Sequence, residues 1–206
     1  MKMRGRFITF EGIDGAGKST HLTAAAQLLE SYGHAVLVTR EPGGTPVGEG
    51  VRTLLLEAPM DACTETLLLF AARAEHVRRL IVPALEMGRW VLCDRFTDAT
   101  YAYQGGGRGV PEAAIAALER WVHPDLQPDL TLLFDLEPAV AATRVGGART
   151  IDRFEAEQLE FFARVRSAYR ARAQAHAERF VVIDAGANIE TVRRQVLEAV
   201  RAWISQ

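Results

Sequence analysis

The sequence predicts an α/β fold, a five-stranded parallel sheet with helices on both faces. Two observations carry this. Short apolar runs alternate with longer helical patterns along the 206 residues. The runs also lack the in–out alternation of a sheet with one wet face, so each strand is expected to be covered on both sides.

The elements follow in order. Residues 6–10 read as the first strand. Residues 18–32 read as a helix, with Gly33 as its stop signal. Residues 35–39 are the second strand. Residues 64–87 are a long helical stretch, expected to bend near Pro83, which removes a backbone donor. Residues 90–93, 130–134 and 180–183 are the third, fourth and fifth strands, and residues 189–204 a closing helix. No repeat, low-complexity run or linker interrupts the chain, so one domain over residues 1–206 is expected. Polar motifs at 11–19, 40–44, 94–95 and 184–188 fall at the carboxyl ends of strands, where ligands bind in such sheets.

Bulk properties exclude several classes. Lys+Arg number 24 against 26 Asp+Glu, a net charge of -2, so no general excess of positive charge is present to hold a nucleic-acid backbone. A phosphate site has to be local. No stretch reaches membrane-spanning length, and the apolar run behind the basic start, Phe7 to Phe10, is too short for a signal-peptide core. Two cysteines, Cys63 and Cys93, make neither a disulfide framework nor a metal pattern, and a cytoplasmic chain with reduced thiols is expected. His21, His34, His76, His123 and His176 show no ligand spacing, and none is assigned to a metal.

Gly12-Ile13-Asp14-Gly15-Ala16-Gly17-Lys18-Ser19 matches G-x-x-x-x-G-K-[ST] in full, with a strand before it and a helix after. The glycines let the backbone curl so that N–H groups point at phosphate oxygens. Lys18 can reach the β- and γ-phosphates of a nucleotide, and the Ser19 hydroxyl can ligate Mg²⁺. This pattern implies nucleotide phosphate binding without naming a reaction.

Further segments narrow the reading. Phe10 to Thr20, Thr39-Arg40-Glu41-Pro42-Gly43-Gly44, Asp94-Arg95, Ala102 to Gly109, Pro128-Asp129-Leu130-Thr131 and Asp152-Arg153-Phe154-Glu155 stand in one order along the chain. Together they resemble the thymidylate kinases of the P-loop kinase superfamily, over a span from about Arg6 to the C-terminus. The resemblance implies the P-loop kinase fold, a mobile lid, a homodimer, and transfer of the γ-phosphoryl group of Mg·ATP to dTMP, giving dTDP.

The resemblance also distributes roles. Gly12, Ile13, Asp14, Gly15, Ala16, Gly17, Lys18, Ser19 and Thr20 form the ATP cradle, and Arg144 stacks on adenine. Asp14 meets the 3′-OH of the deoxyribose; in its absence an Asp here reads as an ordinary turn residue. Gly15 replaces the arginine that some members carry, so basic groups are expected from a lid at about 144–154. Arg149 and Arg153 are the candidates there for stabilising the transferred charge, and which one does so stays open. Arg95 grips the acceptor phosphate with its planar fork. Asp94 either helps hold Mg²⁺ or positions Arg95.

The remaining acceptor contacts are Arg40, Glu41, Phe70, Arg73, Thr100, Tyr103, Gln104 and Arg108. Arg73 is expected at thymine O4 and Thr100 at the pyrimidine edge. Tyr103 is expected to close against C2′ and exclude a 2′-OH. The family places the ring that stacks on thymine four residues before the arginine. Here Leu69 has that spacing and Phe70 is three before, on the same helix face; Phe70 is the favoured stacker. A phosphate acceptor is already anionic, so no strong general base is needed. Two other readings remain at this point: another P-loop nucleoside or nucleotide kinase, and a nucleotide-dependent switch. A switch has no use for a second anion site.

Overall fold

The computed structural model of the chain describes residues 4–146 and 153–204. Five parallel strands lie in the order β2-β3-β1-β4-β5. They are β1 (Phe7–Glu11), β2 (Val36–Arg40), β3 (Trp90–Asp94), β4 (Leu130–Asp135) and β5 (Phe180–Asp184). Each runs one residue past the end of its apolar run. Backbone pairing outlasts hydrophobicity by one step, and Arg40 pairs with Asp94 and Asp135 with Asp184. The extra residue is charged in every strand, so the sheet's carboxyl edge is a row of ionisable groups: Glu11, Arg40, Asp94, Asp135 and Asp184.

β1 is buried along its whole length, and its side chains divide by the period of two. Phe7 joins Val77, Ile81, Leu85, Val91 and Cys93 on one face. Ile8 and Phe10 join Leu92 and Leu132 on the other, with α1 (Lys18–Ser31) and α9 (Ile189–Ile204) contributing Leu22, Leu29 and Val196. Fully burying an aliphatic or aromatic side chain of this kind is worth roughly 1.5–3 kcal/mol, which is why the central strands are the most apolar.

The long helical stretch is real but not uniform. α3 (Ala62–His76) starts at Asp61, whose side chain accepts from the amides of Cys63 and Thr64. A π-helical turn, Val77–Ile81, follows, and then α4 (Val82–Glu86). Pro83 has no N–H to give the carbonyl of Arg79, and the helix widens just before it, where a bend was expected.

α2 (Pro46–Glu57) and α6 (Glu112–Val122) were not anticipated. α2 opens with Thr45 capping the Gly48 amide and Pro46 in the first turn, but its two glycines mask the helical pattern. A short α5 (Thr97–Thr100) runs into a second π segment, Tyr101–Gly107, which packs against α8 (Arg153–Ala175). Gly107 permits this contact: a Cβ there would lie 2.5 Å from the ring of Phe161. α7 (Pro138–Gly146) follows β4. No helix among the described residues is long and apolar enough to cross a membrane.

Candidate active site

The phosphate cradle forms between β1 and α1. Gly12 stands at φ 132°, and a Cβ there would meet the Phe134 carbonyl oxygen at 2.5 Å, so both conformation and space require glycine. Ile13 and Ala16 turn their side chains into the core, leaving only backbone to the cradle. Lys18 is nearly buried, and its Nζ donates to the carbonyls of Gly12 at 3.0 Å and Ile13 at 3.1 Å. Burial, reinforced by the charge of Arg95, brings the Lys18 ammonium down to about 8.

A cavity of about 510 Å³ opens over this loop. It is lined by Asp14, Gly15, Gly17, Lys18, Ser19 and Thr20, with Asp94, Arg95 and Arg144 around them. Arg144, near the end of α7, donates to the Ala185 carbonyl at 3.0 Å, which ties it to the loop after β5. Arg149 and the Arg153 side chain lie outside the described residues, as does most of the expected lid.

Ser19 donates to Asp94 Oδ2 at 3.2 Å, and Asp94 Oδ1 is buried with no partner among the described residues. A hydroxyl and an uncommitted carboxylate oxygen beside a phosphate cradle suit a hydrated Mg²⁺, which takes one or two protein oxygens and fills its shell with water and phosphate. No cluster of three or more His, Cys, Asp or Glu able to hold a metal occurs among the described residues.

A second cavity, of about 270 Å³, lies beside the first. Glu41, Arg73, Thr100, Tyr103, Gln104 and Arg108 line it, as do Leu69 and Phe96. Asp14, Glu41, Arg52 and Arg95 line both cavities and form their common boundary. Arg40 falls elsewhere: it lines the cradle cavity, half exposed, with its guanidinium on Glu49 at 2.8 Å.

Arg95 sits at φ 70°, a region that residues other than glycine rarely adopt. Its Nη2 donates to Asp14 at 2.8 Å and to the Tyr103 hydroxyl at 3.0 Å. Burial opposes ionisation of Asp14, but the charges of Arg95 and Lys18 outweigh it and hold the carboxyl below its usual range.

Arg73 is fully buried. Its Nε donates to Glu41 at 2.7 Å and its Nη2 to the Thr100 hydroxyl at 3.0 Å. Its Nη1 is buried with no partner among the described residues, which leaves a donor for a ligand. His76 bonds the other Glu41 oxygen at 3.0 Å and Thr39 at 2.8 Å. Burial raises the Glu41 carboxyl, but the Arg73 charge and the His76 bond override that and leave it below its usual range.

Phe70 is not where the sequence reading put it. Its ring is buried against Tyr101 and Ile115, with the Arg73 guanidinium 4.7 Å from its centroid, and it does not line the acceptor cavity. Leu69 holds the lining position. One residue along a helix is a turn of 100°, enough to move a side chain from cavity to core. The phenylalanine that lines the cavity is Phe96, directly after Arg95, alongside the Tyr103 ring.

Besides Phe96, several lining or supporting residues had not been expected from the sequence, among them Arg52, Glu65 and His76. Arg52, on the unanticipated α2, donates to the Pro42 carbonyl at 3.2 Å. Glu65 accepts from Gln104 at 2.7 Å and pairs with Arg108 at 3.2 Å, so one carboxylate holds two expected substrate contacts. His76 carried no motif. A signal was present only for Glu65, at the start of a helix whose later turns hold Leu69 and Arg73.

The family profile described as thymidylate kinase matches residues 10–196. The chain is 57% identical to the thymidylate kinase of Methylobacillus flagellatus, covering 98% of this chain and 99% of that one. It is 58% identical to the thymidylate kinase of Bordetella pertussis, covering 100% and 99%. The crystal structure of thymidylate kinase from Ehrlichia chaffeensis superposes with a TM-score of 0.77 at 36% identity, covering 97% of this chain and 99% of that one. By its profile match and its identity over nearly the whole length, the chain belongs to the thymidylate kinase family.

Proposed function

We propose that the chain transfers the γ-phosphoryl group of ATP to dTMP, giving dTDP and ADP. The observation that carries this reading is the shared wall of the two cavities. Asp14 and Arg95 face both a phosphate cradle and a second pocket lined by buried polar groups. Two anions brought to opposite sides of that wall have their phosphates close together.

The residues divide the work. Loop amides and Lys18 hold the donor phosphates. Arg95 takes the acceptor phosphate with the donors it keeps free of Asp14. Arg73 offers Nη1 to the base, and Tyr103 closes the sugar side. Ser19 and Asp94 would hold a Mg²⁺, which would supply charge neutralisation for the phosphates of the donor. Arg149 and Arg153 remain the candidate basic groups for the phosphoryl in transit. Coupled assays with ATP, Mg²⁺ and a panel of nucleoside and nucleotide acceptors test the assignment. dTMP should exceed every nucleoside and purine monophosphate in kcat/KM, and a nucleoside used as well as dTMP would overturn it.

The working unit is a homodimer in this reading, and the supporting feature is an apolar face shared by α3 and α6. Leu67 is 52% exposed and Trp121 78% exposed there, beside Leu118 and Val122. Exposed rings and leucines grouped this way mark an association surface. Trp121→Glu should yield monomers by sedimentation; an unchanged mass would exclude this face. The reaction is placed in the cytoplasm, on the support of two free thiols, one of them exposed.

A further inference from the structure

We infer that Tyr169 is a positioning residue for Arg95, anchored by Glu11. The inference rests on the reading of Arg95 as the acceptor clamp. Tyr169 lies in the middle of α8, 1% exposed, and carries no sequence motif. Its hydroxyl donates to Glu11 Oε2 at 2.8 Å and accepts from Arg95 Nη1 at 3.2 Å. A phenol has one proton to give. The guanidinium can only donate, so in either ionisation state of Glu11 the Glu11–Tyr169 bond fixes the phenol oxygen and leaves a lone pair turned toward Arg95.

Glu11 acts twice on the same residue. Its Oε1 accepts from the Phe96 amide at 2.7 Å, immediately after the left-handed Arg95. The Arg95 amide itself donates to the Phe10 carbonyl at 3.0 Å, one residue before Glu11. The end of β1 therefore holds the strained turn from one side, and Tyr169 holds the end of its side chain from the other. Strained backbone persists only where its surroundings over-determine it.

The guanidinium has five N–H donors, and three are used by the protein: to Asp14, Tyr103 and Tyr169. Tyr103 and Tyr169 take donors from the two terminal nitrogens, and two fixed points set the orientation of a planar group. The two rings also brace each other edge to face, with centroids 6.3 Å apart. Tyr103 lines the acceptor cavity and meets ligand directly, whereas Tyr169 does not line it. Its contribution to binding therefore passes through Arg95.

A double-mutant cycle tests this. dTMP and ATP affinities are measured by calorimetry for wild type, Tyr169→Phe, Arg95→Ala and the double variant, with KM for both nucleotides alongside. Tyr169→Phe keeps the packed ring and loses only the hydroxyl. It should weaken dTMP about 10-fold, as expected for one hydrogen bond to a charged group, and leave ATP within twofold. In the Arg95→Ala background the same change should cost dTMP nothing further. Additive losses, or equal losses for dTMP and ATP, would make Tyr169 a packing residue and overturn the inference. If Arg95→Ala alone left dTMP affinity intact, the clamp reading itself would fall, and the inference with it.

Discussion

Arg95 and Asp14 form an ion pair of 2.8 Å across the boundary between the two cavities. Neither group is spare. The pair neutralises a carboxylate that would repel phosphate, and it holds the guanidinium where a second anion arrives.

Lys18 has a double dependence, on its charge and on pH. Lys18→Ala should cost on the order of 10²-fold or more in turnover, from lost charge stabilisation. The wild-type ammonium loses its proton near 8 because it is buried beside Arg95. kcat/KM for ATP, which reports the free enzyme, should therefore fall as pH rises through about 8. A profile flat to pH 10 would contradict a charged role for Lys18.

The sugar pocket separates shape from charge. Tyr103→Ala opens space at C2′, so the ribose analogue of dTMP should gain on dTMP by roughly 10- to 100-fold. Tyr103 also accepts from Arg95, so Tyr103→Phe is the control: dTMP binding should weaken while the ribose ratio holds. Asp14→Asn should hurt dTMP more than 3′-deoxy-dTMP. An equal loss on both would confine Asp14 to steering Arg95.

Glu41 carries two buried partners, Arg73 and His76, at 2.7 and 3.0 Å. Glu41→Gln leaves the Arg73 charge without its counter-ion. Breaking one side of a buried pair costs about 3 kcal/mol or more, to be read by urea denaturation. dTMP affinity should fall as well, because Arg73 loses its orientation. Full stability in this variant would show that Arg73 finds another acceptor.

Glu11 makes stability depend on pH. Burial first, then the neighbouring Asp98 charge, raises its carboxyl from 4.5 to about 8. Between those values the folded chain holds a proton that the unfolded chain has released. Stability from this group is full below about 4.5 and is lost as pH rises through about 8. Glu11→Gln cannot titrate, so the fall in unfolding free energy between pH 5 and pH 8.5 should shrink. An unchanged slope would assign the pH dependence elsewhere. Asp14, Glu41 and Asp98 have lowered values, and their contributions are lost only toward acid, outside this window.

The cradle was legible because it is local. Its eight residues, Gly12 to Ser19, are consecutive and stand between a strand and a helix, so their pattern can be read without knowing which distant residues they meet. The central strands β1, β3 and β4 were legible because burial on both faces demands continuous apolar runs. The edge strands β2 and β5 carry similar runs but are not covered on both sides as expected, and leave Val38 and Val182 half exposed. The family could be named because its short motifs keep their order along the chain. What the tertiary structure decided is which side chains meet. Phe70 and Leu69 differ by one step of helix, and only the packing of α3 against α6 sends the first to the core and leaves the second at the cavity. Glu11 and Tyr169 are 158 positions apart, yet one hydrogen bond joins them. A lone Tyr in a helix and a Glu after a strand have no pattern to announce that contact, because hydrogen bonds are set by distance in space. The chain's order does not encode that distance until the sheet has brought its ends together.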